Sequence, residues 1–290
     1  MSVYRNGEQF VRHIAVLRRQ LSEEREYTSE ERRSLLGDLE FLSLGIGRAF
    51  SAVHRLAELQ ASTGNAAYDL QPGIGILVLS PDQREPMAFE VDSFLDGARR
   101  SQDGLVSCIR RVLSISLPKS AAQLMKGVRA NKFNLPKPIL ALLNEYWSCH
   151  GHMLKHYRDA TQHHMIVASD ARLYRSESGE PLIHLLLPNN PEEKSATRFD
   201  FENPEVHAFE YVSREFLALL KVTYKITGYL VSLGSNTNEA SLSFAFRNPV
   251  TFRSHGGKRF QLDMVGHPIP SPDDFVREVE NVVSTLDGAR

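Results

Sequence analysis

The run Leu154-Lys155-His156-Tyr157-Arg158-Asp159-Ala160-Thr161-Gln162-His163-His164-Met165-Ile166-Val167 places an arginine, an acid and two adjacent histidines within seven positions, Arg158 to His164. Upstream, Ile139, Leu142, Leu143, Tyr146, Trp147, Met153 and Leu154 predict a helix that begins near Pro138 and reaches about residue 161, with Gly151 a weak point before Arg158. Downstream the texture changes. Met165 to Ala168, Arg172 to Tyr174 and Pro181 to Leu187 have strand character, with a turn at Ser176 to Gly179. The stretch therefore marks where a helical first half gives way to a mixed second half.

Working outward, Phe10, Ile14, Leu17 and Leu21 predict a helix over 7–26. Thr28-Ser29-Glu30-Glu31 reads as an N-cap with acids in the first turn, opening a helix to about Leu59 that Ser62-Thr63-Gly64-Asn65 ends. Gly45 and Gly47 weaken its middle, for close packing or a kink. Ile74 to Leu79 reads as a short buried strand, Ala88 to Ile115 as a third long helix, and Ala121 to Val128 as a shorter one after the break at Pro118. A polar loop over 189–204 leads to a long helix over 204–233. Short strands at 241–246, 251–252 and 260–264 follow, then a closing helix over 275–286. The expected class is mainly α (α+β): an up-and-down bundle of the helices 28–60, 88–115, 138–161 and 205–233, with small antiparallel β regions after the motif helix and near the C-terminus. The expected organisation is an N-terminal portion over 1–84, a helical core over 85–235 with a β excursion at 164–190, and a tail over 236–290, joined as one compact unit.

A hydrophobic content of 42% with 24% charged residues places the chain among ordinary globular proteins. No apolar run approaches the roughly 20 residues of a membrane span, and Met1 to Glu8 lacks the apolar core of a signal peptide. Cys108 and Cys149 make no disulfide framework, so a cytoplasmic setting is expected. The net charge of -1 conceals an asymmetry: from Gly97 to Arg158, eleven Lys and Arg face only Asp103 and Glu145, a local excess of +9. Such a block suits a phosphate-binding surface, because neutralised phosphates release counterions. Scattered over several solvated helix faces, the same residues would carry no such meaning.

Arginine followed by Asp, with a histidine after a gap of four, resembles the signature of HEPN domains. These are helical bundles in which many members are metal-independent RNases and others bind RNA or partners without cleaving. The resemblance covers residues 85–235, its residue-specific part is Arg158 to His163, and the C-terminal strands depart from the minimal pattern. It implies that His163 transfers protons and Arg158 holds phosphate, with Asp159 orienting an imidazole; Lys155, His164, Arg110 and Arg111 would help hold the substrate. The residue types fit: imidazole titrates near neutrality and guanidinium stays charged while presenting a fork of donors. On an ideal helix, positions 158 and 163 point roughly 140° apart. They converge only if the helix ends or bends there, or if two chains share one site, the arrangement the resemblance implies. RNA is then the expected partner, in a homodimer, with a protein antitoxin or regulator as a further one, in a toxin or defence setting. No cofactor and no membrane are expected.

Other readings use the same residues. His163 and His164 in a last helical turn would cap carbonyls, and the fold would then be a non-catalytic scaffold or regulatory protein. His152 and His156 have the i,i+4 spacing of a two-histidine metal clamp, with His163 or Asp159 as third ligand. Cys149-His150 is an adjacent pair with no supporting context in sequence.

Overall fold

The computed structural model describes residues 28–70, 79–164, 170–175, 181–202, 204–232, 250–253 and 259–262. The expected elements at 7–26, 74–78, 165–168, 176–179, 241–246 and 275–286 lie outside the described residues. The chain separates into one unit ending at Ser232 and a second from Leu233 to Arg290.

In the first unit, α1 (Ser29–Leu70) starts where the capping sequence predicts. The Thr28 N–H donates to Glu31 Oε2 at 3.0 Å and the Glu31 N–H donates to Thr28 Oγ1 at 3.2 Å, a reciprocal capping box. The helix does not stop at Ser62-Thr63-Gly64-Asn65 but runs on to Leu70. α2 (Pro81–Val112) begins seven residues before the expected Ala88. Its start signals are Pro81 in the first turn and a Ser80 N–H donated to Gln83 Oε1 at 3.0 Å. Pro86 removes one backbone donor near that end and does not end the helix.

The two helices form an antiparallel pair, since contacts advance along one as they recede along the other. Asp38 meets Arg111, Arg48 meets Asp96 and Arg55 meets Glu90. The close approach is built by glycine. A Cβ on Gly97 would lie 2.7 Å from the Ala49 backbone nitrogen, one on Gly45 2.8 Å from the Ser101 nitrogen, and one on Gly104 2.9 Å from the Leu42 Cα. Gly45 thus serves close packing, whereas a Cβ on Gly47 would meet nothing within 4 Å.

α3 (Ala121–Arg129) and α4 (Lys137–Tyr146) follow. A five-residue π turn, Trp147–Gly151, leads into α5 (His152–His164). The expected weak point at Gly151 is this turn, where the His152 N–H reaches back to the Trp147 carbonyl. A Cβ on Gly151 would come within 2.8 Å of the Trp147 ring and 3.1 Å of the Tyr146 ring, so both rings pack against the glycine. Strands β1 (Asp170–Arg175), β2 (Pro181–Leu187) and β3 (Val206–His207) form one antiparallel sheet in that order. α6 (Ala208–Ser232) packs on α1, α2 and α4, with Phe50 and Phe216 ring centroids 5.9 Å apart. Leu39, Leu42 and Ile46 of α1, Val91, Phe94 and Ile109 of α2, and Val212, Phe216 and Leu220 of α6 are buried in the helical core. The fold is mainly α with a small β region, as the periodicities predict. The expected division at 84/85 falls inside α2, and α1 is half of the α1–α2 pair. In the second unit, β4 (Val250–Arg253) and β5 (Arg259–Leu262) pair antiparallel, near the expected short strands.

Candidate functional site

α5 divides cleanly by exposure. Leu154, Tyr157 and Ala160 are buried, which fixes this face against the rest of the unit. The Tyr157 hydroxyl donates to the Pro188 carbonyl at 2.7 Å, and its ring packs edge-on against Tyr211 at 4.7 Å, so α5 is tied to the end of β2 and to α6. Thr161 donates to Asp92 Oδ1 at 3.2 Å and ties α5 to α2. Burial pushes the Asp92 carboxyl up to about 6, more than the Thr161 bond lowers it. The folded-state pKa then lies above the unfolded one, so the fold takes up the proton, and stability rises as pH falls from above 6 towards 4. Asp92→Asn keeps an acceptor for Thr161. It is expected to raise the melting temperature at about pH 8, with the gain fading towards about pH 4; an equal gain at both, read by thermal melts, would refute this role of the buried charge.

The opposite face carries the motif. Lys155 donates to Asp159 Oδ2 at 2.7 Å, Arg158 lies 3.6 Å from Asp159 Oδ1, and the Arg158 guanidinium donates to Gln162 Oε1. Lys155, Arg158, Asp159 and Gln162 therefore form one stripe of i,i+3 and i,i+4 neighbours. The Asp159 carboxylate is engaged by Lys155 and Arg158, so its partners are cations of the same stripe. α5 is continuous from His152 to His164, with its irregular turn before Arg158 and not after it. His164 ends the helix. One chain accordingly keeps positions 158 and 163 on different sides of the helix, roughly 140° apart. The side chains of His163 and His164 lie outside the described residues.

The metal clamp is met halfway. His152 Nε2 and His156 Nε2 are 3.1 Å apart, and burial, then the neighbouring His152 and Lys155, hold the His156 pKa below its usual value. Position 163 lies two helical turns beyond His156, about 10 Å along the axis. Among the described residues no group of three His, Cys, Asp or Glu converges to hold a metal ion.

The charge block resolves into two parts. Arg99 pairs with Asp103, Arg100 with Asp96, Arg111 with Asp38, and Lys155 and Arg158 with Asp159. Arg111 is thereby committed to α1, and Arg110 and Arg111, in the last turn of α2, lie about 10 Å farther along that helix than Asp103. The second part is the acid-free interval between Asp103 and Glu145. Here Lys119, Lys126, Arg129, Lys132 and Lys137 are all exposed, and none has an ion-pair partner among the described residues. Lys126 and Arg129 share the outer face of α3, and the Lys132 N–H donates to the Gly127 carbonyl at 2.9 Å, folding that residue back onto the helix end. The turn is closed by Asn131 at φ 53, a residue type that tolerates the left-handed region. Asp103 links the parts: it accepts the Ala121 N–H at the start of α3 at 2.8 Å, and it lies within the field of Arg158. Burial raises its pKa, and the Ala121 bond and the two arginines Arg99 and Arg158 oppose that rise.

No family model matches the chain, and neither a curated protein nor a solved structure matches it. Among the described residues no helix is long and apolar enough to cross a membrane.

Proposed function

We propose that this chain binds RNA through the exposed cations of α3 and its flanking loops. The acid-free interval carries this reading: five exposed cations there have no ion-pair partner among the described residues, so their charge is available to phosphate. Affinity for a labelled single-stranded RNA, read by fluorescence anisotropy, should fall steeply with salt. Each phosphate contact contributes roughly 0.7 to the log–log slope for single strands, so replacing Lys126, Arg129 and Lys132 together by Gln should reduce it by about 2. A flat salt response in the parent protein, or an unchanged slope in the triple variant, refutes the reading.

The HEPN-like pair adds a catalytic step to the same proposal, a metal-independent endoribonuclease. Because α5 is unbroken between Arg158 and His163, the composite site requires two copies of the chain, Arg158 from one facing His163 from the other. Arg158 would bind the phosphate and stabilise charge on the phosphorane, while His163 would move the proton of the attacking 2′-hydroxyl or of the leaving 5′-oxygen. Without that pairing the protein is an RNA-binding scaffold.

A further inference from the structure

RNA binding makes no use of His152 and His156. Their Nε2 atoms lie 3.1 Å apart, the rings meet edge-on with centroids 4.4 Å apart, and neither ring has another partner among the described residues. In the neutral pair one ring donates its N–H to the other. The spacing is also that of a chelate: two metal–nitrogen bonds of about 2.0–2.1 Å meeting at roughly 100° end about 3 Å apart. The i,i+4 period of α5 sets this separation before any ion arrives.

A carboxylate stands beside the pair. The Tyr157 bond to the Pro188 carbonyl holds the chain leaving β2 against α5, and Glu192 follows four residues beyond Pro188. There the Glu193 N–H donates to the Asn190 carbonyl at 3.1 Å, closing a turn with Pro191 at its second position, where a fixed φ suits. Asn190 anchors the turn, accepting from the Asp200 N–H at 2.8 Å and donating to the Arg198 carbonyl at 2.9 Å. Glu192, at the corner, is exposed and has no bonded partner among the described residues, and its charge acts on both the His156 ring and the Tyr157 hydroxyl. Asp159, by contrast, is held by Lys155 and Arg158.

We propose that His152, His156 and Glu192 bind one divalent transition-metal ion of the zinc or copper class, with water in the remaining position. The ion takes both Nε2 lone pairs, so each ring keeps its proton on Nδ1. The Glu192 side chain swings from the turn onto the ion and supplies the negative charge that a histidine pair lacks. The site is independent of RNA binding.

Carbethoxylation of the full-length protein, purified without a histidine tag, reads each ring separately by peptide mass spectrometry. At ten times its half-protecting concentration, Zn²⁺ should slow modification of His152 and His156 by about tenfold, as mass action requires, and leave His54 unchanged. Mg²⁺, which prefers oxygen ligands, should protect neither. His152→Ala should abolish protection at His156, and His156→Ala that at His152. Glu192→Gln should raise the half-protecting Zn²⁺ concentration by at least about tenfold, the loss that even an outer partner of a metal ligand brings. Equal modification with and without Zn²⁺, protection of His156 that persists in His152→Ala, or an unchanged half-protecting concentration in Glu192→Gln overturns the proposal.

Discussion

Replacing His163 by alanine is expected to lower single-turnover RNA cleavage by about 10² to 10⁴, the usual contribution of general acid–base catalysis. RNA affinity and melting temperature should stay close to the parent values. Arg158→Ala should reduce both affinity and cleavage, because its proposed partner is phosphate. Its bonds to Gln162 and Asp159 lie on the outer face of α5, where such pairs contribute only about 0.3–0.5 kcal/mol, so the fold should survive. Mixing the two inactive variants adds a sharper measurement. In a two-fold dimer whose sites each take Arg158 from one chain and His163 from the other, a mixed dimer has one site missing both residues and one intact site. Half the dimers are mixed and each has one site, so about a quarter of the parent activity should return. No recovery would exclude the composite arrangement that the unbroken α5 requires. The opposing case is also concrete. His163 lies in the last turn of α5, where a protonated histidine contributes about 0.3–1 kcal/mol through the carbonyl dipole. A small loss of stability with cleavage unchanged would leave RNA binding alone.

The fold was legible where local chemistry and tertiary packing agree. The Thr28–Glu31 box is contained within four residues and sets the start of α1. The i,i+4 spacing of His152 and His156 brings their nitrogens together as the helix period demands. Expectation failed where a local signal was overruled. α2 starts seven residues before the expected Ala88, because Ser80, Pro81 and Gln83 supply a start that lies ahead of the apolar periodicity and Pro86 does not break it. β3 has two residues, too few for any periodicity, and exists because β2 offers Leu186 and Leu187 as partners. The candidate site failed more instructively. Counting charge from Gly97 to Arg158 overlooked Asp96 and Asp159, each just outside the window, and Asp38 on another helix; these three carboxylates pair with four of the eleven cations counted, Asp159 being shared by Lys155 and Arg158. What remains unpaired is a smaller set centred on α3. Cys149-His150 lacked context because its partner Glu215 lies 65 positions away.

A matched pair of glycine substitutions should separate the consequences of the α1–α2 contact from helix propensity. In a helix interior, Gly→Ala gains about 1 kcal/mol when the added methyl meets nothing. Gly47 is such a site, with no atom within 4 Å of a Cβ, so Gly47→Ala should raise the melting temperature by about 2–4 °C at a domain of this size. Gly97 is the reverse. Its Cβ would stand 2.7 Å from the Ala49 nitrogen and 2.9 Å from the Gly45 carbonyl oxygen, both backbone atoms of α1 that no rotamer change can withdraw. The helices must separate, and Leu42, Ala49 and Ala98 at the seam lose contacts that burial had secured. Overpacking of this kind costs about 1–3 kcal/mol and sometimes more. Because backbone meets backbone, the upper end applies, and after the propensity gain a net loss of about 2 kcal/mol remains, a fall of about 4–8 °C. Far-UV circular dichroism melts of the two variants read both signs in one experiment. If both shift upward, α1 and α2 do not approach at Gly97 as closely as described, and the antiparallel pair that supports α5 and α6 would have to be rebuilt with a wider spacing.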